Sequence, residues 1–321
     1  MKLPRTLAGL IVGISALSLC SFRMAAQPKA PEPASAKPAA PETRKMESLL
    51  EVFSLGSKQR TVIYRTKENI EGAFWSADGS RIFFSERGLI RSVSEKGGQA
   101  QAHDIGLDRL GGSLGYSPDK KQFVVTHYTG GQGLRVYVVP VGGGEPRLLT
   151  PKAPSWWHSW SPDGKTILFV GLRQDNLDIY SIPADGGTET RLTSQPGIDD
   201  GPEFSADGQY IYFNSDRSGR NQIWRMRPDG TAPEQVTHDA YNNWYPHVSP
   251  DGKWITFLSY EEPDVKGHPQ YRPVTLRLLA TAGGDAVVLV RLVGGQGTYD
   301  TNSWSPDSTR IAFISYRAIQ E

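Results

Sequence analysis

One short pattern occurs six times in this chain, and it constrains the fold more than any other feature. An aromatic or apolar residue is followed by Ser, then Ala or Pro, then Asp, then a turn residue and an apolar run. The copies are Trp75-Ser76-Ala77-Asp78-Gly79, Tyr116-Ser117-Pro118-Asp119-Lys120, Trp160-Ser161-Pro162-Asp163-Gly164, Phe204-Ser205-Ala206-Asp207-Gly208, Val248-Ser249-Pro250-Asp251-Gly252 and Trp304-Ser305-Pro306-Asp307-Ser308. Successive aspartates lie 41, 44, 44, 44 and 56 residues apart. Each component has a mechanical reason. Pro presets φ, Asp bonds back to nearby backbone N–H groups, and Gly takes the left-handed position. The result is a tight turn between two strands. The runs that follow, such as Ile167-Leu168-Phe169-Val170 and Ile211-Tyr212-Phe213, read as buried strands. A third strand follows, as in Asp178–Ile182 or Gln222–Met226. A second turn comes next, as at Gly142-Gly143-Gly144, Gly186-Gly187 or Asp229-Gly230, and then a fourth strand. A period near 44 residues with four strands is one propeller blade. The sequence therefore predicts an all-β fold, a six-bladed β-propeller.

The ends predict how the ring closes. The chain stops fourteen residues after Asp307, which leaves room for only the inner two strands of the sixth blade. Leu49–Ser54 and Arg60–Tyr64 read as the missing outer pair, with Gly56-Ser57 as their turn. Pairing the two ends in a two-plus-two closure removes exposed sheet edges.

Residues 1–26 differ in kind. Lys2 and Arg5 precede an apolar, uncharged run from Leu7 to Leu19, the pattern of a secretory signal peptide. The single cysteine, Cys20, ends that run. Leu17-Ser18-Leu19-Cys20 is similar to a lipoprotein signal, except that Leu19 stands where Gly or Ala is preferred, and cleavage near Ala25-Ala26 competes with it. Residues 27–47 are rich in Pro, Ala, Lys and Glu and read as an extended linker, which leaves 48–321 for the propeller. Charge is balanced, 35 Lys plus Arg against 34 Asp plus Glu, so nucleic acid is not an expected partner.

Phe204-Ser205-Ala206-Asp207-Gly208, followed by Asn214-Ser215-Asp216-Arg217-Ser218-Gly219, resembles the repeat of the TolB-like propeller superfamily. The resemblance spans roughly residues 48–321 and is specific for fold rather than function. It implies a periplasmic protein that binds partner proteins in the cell envelope. This chain shows no room for the N-terminal α/β domain that TolB carries. Tyr260 to Arg277, with Lys266-Gly267-His268-Pro269, looks like an insertion seen in exported TolB-like proteins. Similar repeats occur in oligogalacturonate lyases and in the propellers of prolyl oligopeptidase-type peptidases, so an enzyme is the alternative.

The candidate ligand residues are expected at the channel mouth, on the face carrying the loops that precede each innermost strand. They are Trp156, Trp157, His158, Asp199, Asp200, Asn243, Trp244, Tyr245 and Asp300, with Tyr260 and His268 from the insertion. Aromatic rings beside acids and amides suit a peptide or glycan: the rings give flat apolar contact and the polar groups give direction. Packing between blades is the competing role for the tryptophans. Arg87, Arg173, Arg217 and Arg317 recur nine or ten residues after the turn aspartate. Arg173 and Arg217 are kept as ligand candidates, although periodic recurrence favours ties within the scaffold. The six turn aspartates read as structural and lie on the opposite face.

No two of His103, His127, His158, His238, His247 and His268 have compact metal-ligand spacing. A metal site drawn across blades from His127, His158 and His247 would resemble that of the lyases. Gly111-Gly112-Ser113-Leu114-Gly115 matches G-x-S-x-G but lacks the following helix of a nucleophile elbow. No catalytic constellation and no cofactor motif emerges. The expectation is an exported, non-catalytic propeller, periplasmic or tethered to the outer membrane by a lipid on Cys20, that binds an envelope protein, peptide or glycan. The alternative is a carbohydrate- or peptide-active lyase or hydrolase with a metal-assisted site at the mouth.

Overall fold

The computed structural model describes residues 45–262 and 265–319. The expected signal segment, Cys20 and the linker as far as residue 44 lie outside them. Blade 1 is built from Ile70–Trp75, Arg81–Glu86, Leu89–Ser94 and Gln101–His103. Blade 2 comprises Leu110–Tyr116, Gln122–Tyr128, Leu134–Pro140 and Arg147–Leu148, and blade 3 Ser155–Trp160, Thr166–Arg173, Asn176–Pro183 and Thr190–Arg191. Blade 4 holds Asp199–Phe204, Ile211–Ser215, Gln222–Met226 and Glu234–Gln235; blade 5 holds Asn242–Val248, Trp254–Tyr260, Arg272–Ala280 and Val287–Gly294. Each is an antiparallel sheet in which consecutive strands pair. Among the described residues the one helical turn is Gly130–Gln132.

Blade 6 closes the ring from both ends of the chain. Arg310–Ala318 pairs with Met46–Ser54 along the full length of that strand, and Met46–Ser54 pairs with Arg60–Thr66. Inside them, Trp304 bridges Ile311, and Ala312 and Ile314 donate backbone bonds to Ser303 and Thr298. The two-plus-two closure is therefore present. The N-terminal strand starts at Met46, two residues before the expected domain boundary.

The repeated turn works by one device. Each turn serine donates to its aspartate at 2.5–2.6 Å. The same serine oxygen accepts the backbone N–H of the residue five positions on. The aspartate also accepts a backbone N–H two residues later. Two polar side chains thus satisfy the groups that reversing the chain would orphan.

Six hydrophobic clusters each lie between consecutive blades. Phe84, Phe169, Phe213, Phe257 and Phe313 occupy the same place on the second strands of five blades and are fully buried. Each contributes roughly 1.5–3 kcal/mol by leaving water.

The innermost strands are less regular. In blades 1 to 5 they lose register midway, between Glu71 and Phe74, Leu110 and Leu114, Trp157 and Ser159, Asp200 and Glu203, and Trp244 and His247. A bulge of this kind bends the strand and re-aims its side chains.

Candidate functional site

Seven residues before each turn aspartate stand Glu71, Gly112, Trp156, Asp200, Trp244 and Asp300, the first five at or just ahead of the bulge of an innermost strand and Asp300 in the segment that leads into blade 6. The turns repeat; these positions do not. Three of the six are carboxylic acids, and they meet near the axis.

Glu71, Gly112 and Asp300 come from neighbouring blades. A Cβ added at Gly112 would lie 2.7 Å from both Asp300 Oδ2 and Glu71 Oε2, so glycine is what lets the two carboxyl groups approach here. Asn69 donates to Glu71 Oε1 at 2.8 Å, and the Gly72 N–H bonds to the Asp300 carboxyl. Asp300 is only 4% exposed, and its Oδ1 has no hydrogen-bond partner. Burial, followed by the charge of Glu71, pushes Asp300 up to about 8, and burial raises Glu71 as well.

The second half of the site surrounds Asp200. His158 Nε2 lies 3.2 Å from Asp200 Oδ1, and His268 Nε2 lies 3.9 Å from Oδ2. Burial pushes Asp200 up, but the hydrogen bond from His158, the charges of both histidines and the Gly201 N–H outweigh it, and the acid ends below its ordinary value. Tyr245 stacks on His158, and its hydroxyl is 3.2 Å from His268 Nε2. Burial holds the Tyr245 hydroxyl well above its usual range, helped by Asp200 and Asp300, and burial lowers His268. Trp244 meets the His268 ring edge-on at 4.6 Å. Tyr245 adopts φ 55°, a left-handed conformation that is strained for a bulky residue.

His268 arrives from the insertion between Trp254–Tyr260 and Arg272–Ala280. The loop is pinned by Tyr260, whose hydroxyl donates to the Pro269 carbonyl, and by Gln296, whose N–H donates to the His268 carbonyl. It reaches Tyr316 through Gln270. The insertion thus packs beside the acids at the mouth, and its position could not be read from the repeat.

The other candidates are occupied by the scaffold. Trp157 is buried between blades 2 and 3. Asn243 donates to Thr237 and Asp239 and accepts from Ser259. Arg217 Nη2 donates to both Asp199 carboxylate oxygens at 2.8 and 2.9 Å, and Arg217 lies over Phe213 and Trp224. Arg173 binds the Pro154 carbonyl, Ser155 and Glu189. Arg87 and Arg317 pair with Glu68 and Glu47. Trp156 is half-buried at its axial position. Glu71, absent from the sequence candidates, belongs to the cluster; its place seven residues before a turn aspartate, shared with Asp200 and Asp300, was the available signal.

The three histidines considered for a cross-blade metal each have a separate partner. His127 sits by Asp108 and Tyr137, His158 by Asp200, and His247 bridges Glu203 and the Tyr299 carbonyl at 2.6 and 3.0 Å. Among the described residues no group of three His, Cys, Asp or Glu side chains is arranged to hold a metal.

A cavity of about 450 Å³ opens at the other end of the channel, beside the turns. Trp75, Trp157, Trp160, Phe204 and Trp304 line it, with His158, Glu203 and Asn302 as polar members. The sequence directed attention to the loop face alone. The small Ser, Ala and Pro residues of the turns border this space.

The sequence model of the TolB beta propeller domain matches residues 113–270. An uncharacterized protein of Agrobacterium fabrum is 39% identical over 277 residues, covering 86% of this chain and 94% of that one. A solved Agrobacterium tumefaciens structure assigned as TolB superposes with a TM-score of 0.81 at 39% identity, covering 85% of this chain and 99% of that one. The Tol-Pal system protein TolB of Legionella pneumophila is 28% identical over 106 residues, 32% of this chain and 25% of its own length. The repeat, the ring of blades and these likenesses agree: the chain belongs to the TolB-like β-propeller superfamily.

Proposed function

We propose that this chain is an exported, non-catalytic propeller that engages a protein or peptide of the cell envelope at the loop-side mouth of its channel. One observation carries the reading. Glu71, Asp200 and Asp300 converge with His158, Tyr245 and His268 at positions where the repeat is broken, beside exposed Tyr271. Buried acids with raised values oppose folding, and such sites gather where a protein binds something. Relatives named for the Tol-Pal system support an envelope setting, as does the signal-like N-terminal sequence. Among the described residues no helix is long and apolar enough to cross a membrane. Periplasmic residence and lipid tethering at Cys20 are parts of the same proposal.

The test is photo-crosslinking in cells, with a crosslinker placed at Tyr271 on the mouth and, separately, at Lys165 on a turn. The expected result is one discrete partner band from the mouth position and none from the turn. Equal capture at both positions, or none at either, would overturn the reading. The turn-side cavity favours one second reading, because its aromatic walls suit a sugar ring. Turnover of a polysaccharide or peptide by the purified chain, abolished by His158→Ala, would put the enzymatic reading first.

A further inference from the structure

We infer that the Glu71–Asp300 carboxyl pair is a recognition site for a primary ammonium group of the kind a lysine side chain presents. This deepens the reading of the mouth as a contact surface and rests on it.

Charge sets the class of ligand. Glu71 and Asp200 each lie within electrostatic reach of Asp300. No lysine or arginine among the described residues forms an ion pair with any of them; only His158 and His268 approach, and both approach Asp200. Among the described residues the Glu71 end therefore has no cationic side chain of its own to compensate it when it ionises. Asp300 Oδ1 is the sharpest sign, a carboxylate oxygen buried without any partner. A buried acceptor of this kind costs free energy unless a donor arrives.

Geometry selects the kind of cation. Asp300 Oδ2 and Glu71 Oε2 both flank Gly112, each 2.7 Å from where a Cβ on that glycine would lie. They are thus no more than ~5.4 Å apart, a span that one ammonium can bridge with two N–H···O bonds of about 2.8 Å. Each acid has already committed part of its capacity, Glu71 Oε1 to Asn69 and the Asp300 carboxyl to the Gly72 N–H. Separate donors on a compact point charge fit what remains better than the planar fork of a guanidinium, which seeks both oxygens of one carboxylate. Tyr316, with its ring edge-on to exposed Tyr271 at 4.9 Å, supplies an aromatic wall near the pair. Among the described residues no metal-holding group of three ligands is present here.

At neutral pH a proton on Asp300 occupies the role of the missing donor. An ammonium must displace it, while a lysine stays charged to beyond pH 9. Affinity therefore rises with pH across that range. The other groups facing the pair are Asp200, Tyr245, Tyr260 and Tyr316.

The experiment is calorimetric titration of the whole chain with acetyl-Gly-Lys-Gly-amide, its ε-acetylated form, n-butylammonium and calcium chloride. Saturable binding of the lysine peptide is expected, tighter at pH 8.5 than at 6.5. The ε-acetylated peptide should bind at least tenfold more weakly. Glu71→Gln and Asp300→Asn should each cost at least tenfold. n-Butylammonium binding as tightly as the peptide identifies a free amine as the source; weaker binding identifies a lysyl side chain. Undiminished peptide binding in both variants, equal binding of the ε-acetylated form, or calcium excluding the peptide would each overturn the assignment. If Asp300→Asn does not fold, the half-buried Glu71→Gln decides alone. Peptide binding without any crosslinked envelope partner would leave this site standing and remove the broader reading; a captured partner without peptide binding would do the reverse.

Discussion

The two ends of each innermost strand stand seven residues apart and follow opposite rules. At the turn end, all six blades use the same serine–aspartate device with nearly the same distances. At the axial end, the matching positions are Glu71, Gly112, Trp156, Asp200, Trp244 and Asp300, and no such rule holds. The electrostatics differ in sign as well. Hydrogen bonds from the turn serines and backbone hold the turn aspartates below their ordinary value, Asp78 at about 2. Burial raises Glu71 and Asp300. A depressed carboxyl adds stability above its unfolded value, lost as pH falls through the folded one. A raised carboxyl removes stability as pH climbs from its unfolded value to the folded one. The turns are built for folding, and the axis retains groups that work against it.

The largest effect that can test this contrast removes the frame of both ends. Deleting residues 48–64 strips the outer half of blade 6 and exposes the edge of Arg310–Ala318. No cooperative thermal transition is expected by circular dichroism, and a normal melt would refute the closure. A smaller effect tests the turns alone. Ser249 is fully buried, donates to Asp251 and accepts the Trp254 N–H. Ser249→Ala leaves the Trp254 N–H without its partner and removes one bond to Asp251, which keeps the Lys253 N–H, and should cost about 1–3 kcal/mol in denaturant titration. No loss would show that the turn motif is not the stabilising device.

Legibility in the sequence follows the same division. The turns and blade limits were readable because a local hydrogen-bond device fixes them within six residues. The outer strands of blade 6 were readable because ring closure leaves no other use for them. The axial site was readable in part. His158, Asp200, Tyr245 and Asp300 were found as departures from the repeat, and His268 as part of an insertion. Trp157 and Asn243 look like ligand residues in sequence, but they face a neighbouring blade or their own scaffold. Glu71 was missed because it stands as a single acid in its strand, although its register matches Asp200 and Asp300. The arrival of His268 beside Asp200 depends on the path of a loop, and the turn-side cavity depends on what six distant segments leave unfilled. Neither has a local signal.

The central claim is that the raised axial acids, Glu71 and Asp300, oppose folding while the turns support it. The most direct measurement is the thermal stability of the wild type and Asp300→Asn between pH 5 and pH 9. Between its unfolded value of 3.8 and its folded value of about 8, Asp300 binds a proton in the folded state that the unfolded chain lacks. The Asp300 contribution to wild-type stability should therefore fall by about 1.4 kcal/mol per pH unit through that window and level off above it, and the difference from the variant isolates it from the other titrating groups. Asn cannot ionise, so the variant's melting temperature relative to the wild type should rise steadily from pH 5 to pH 8 and change no further above that. A difference that stays flat or falls between pH 5 and pH 8 would mean that ionising Asp300 does not oppose folding, and would contradict the account.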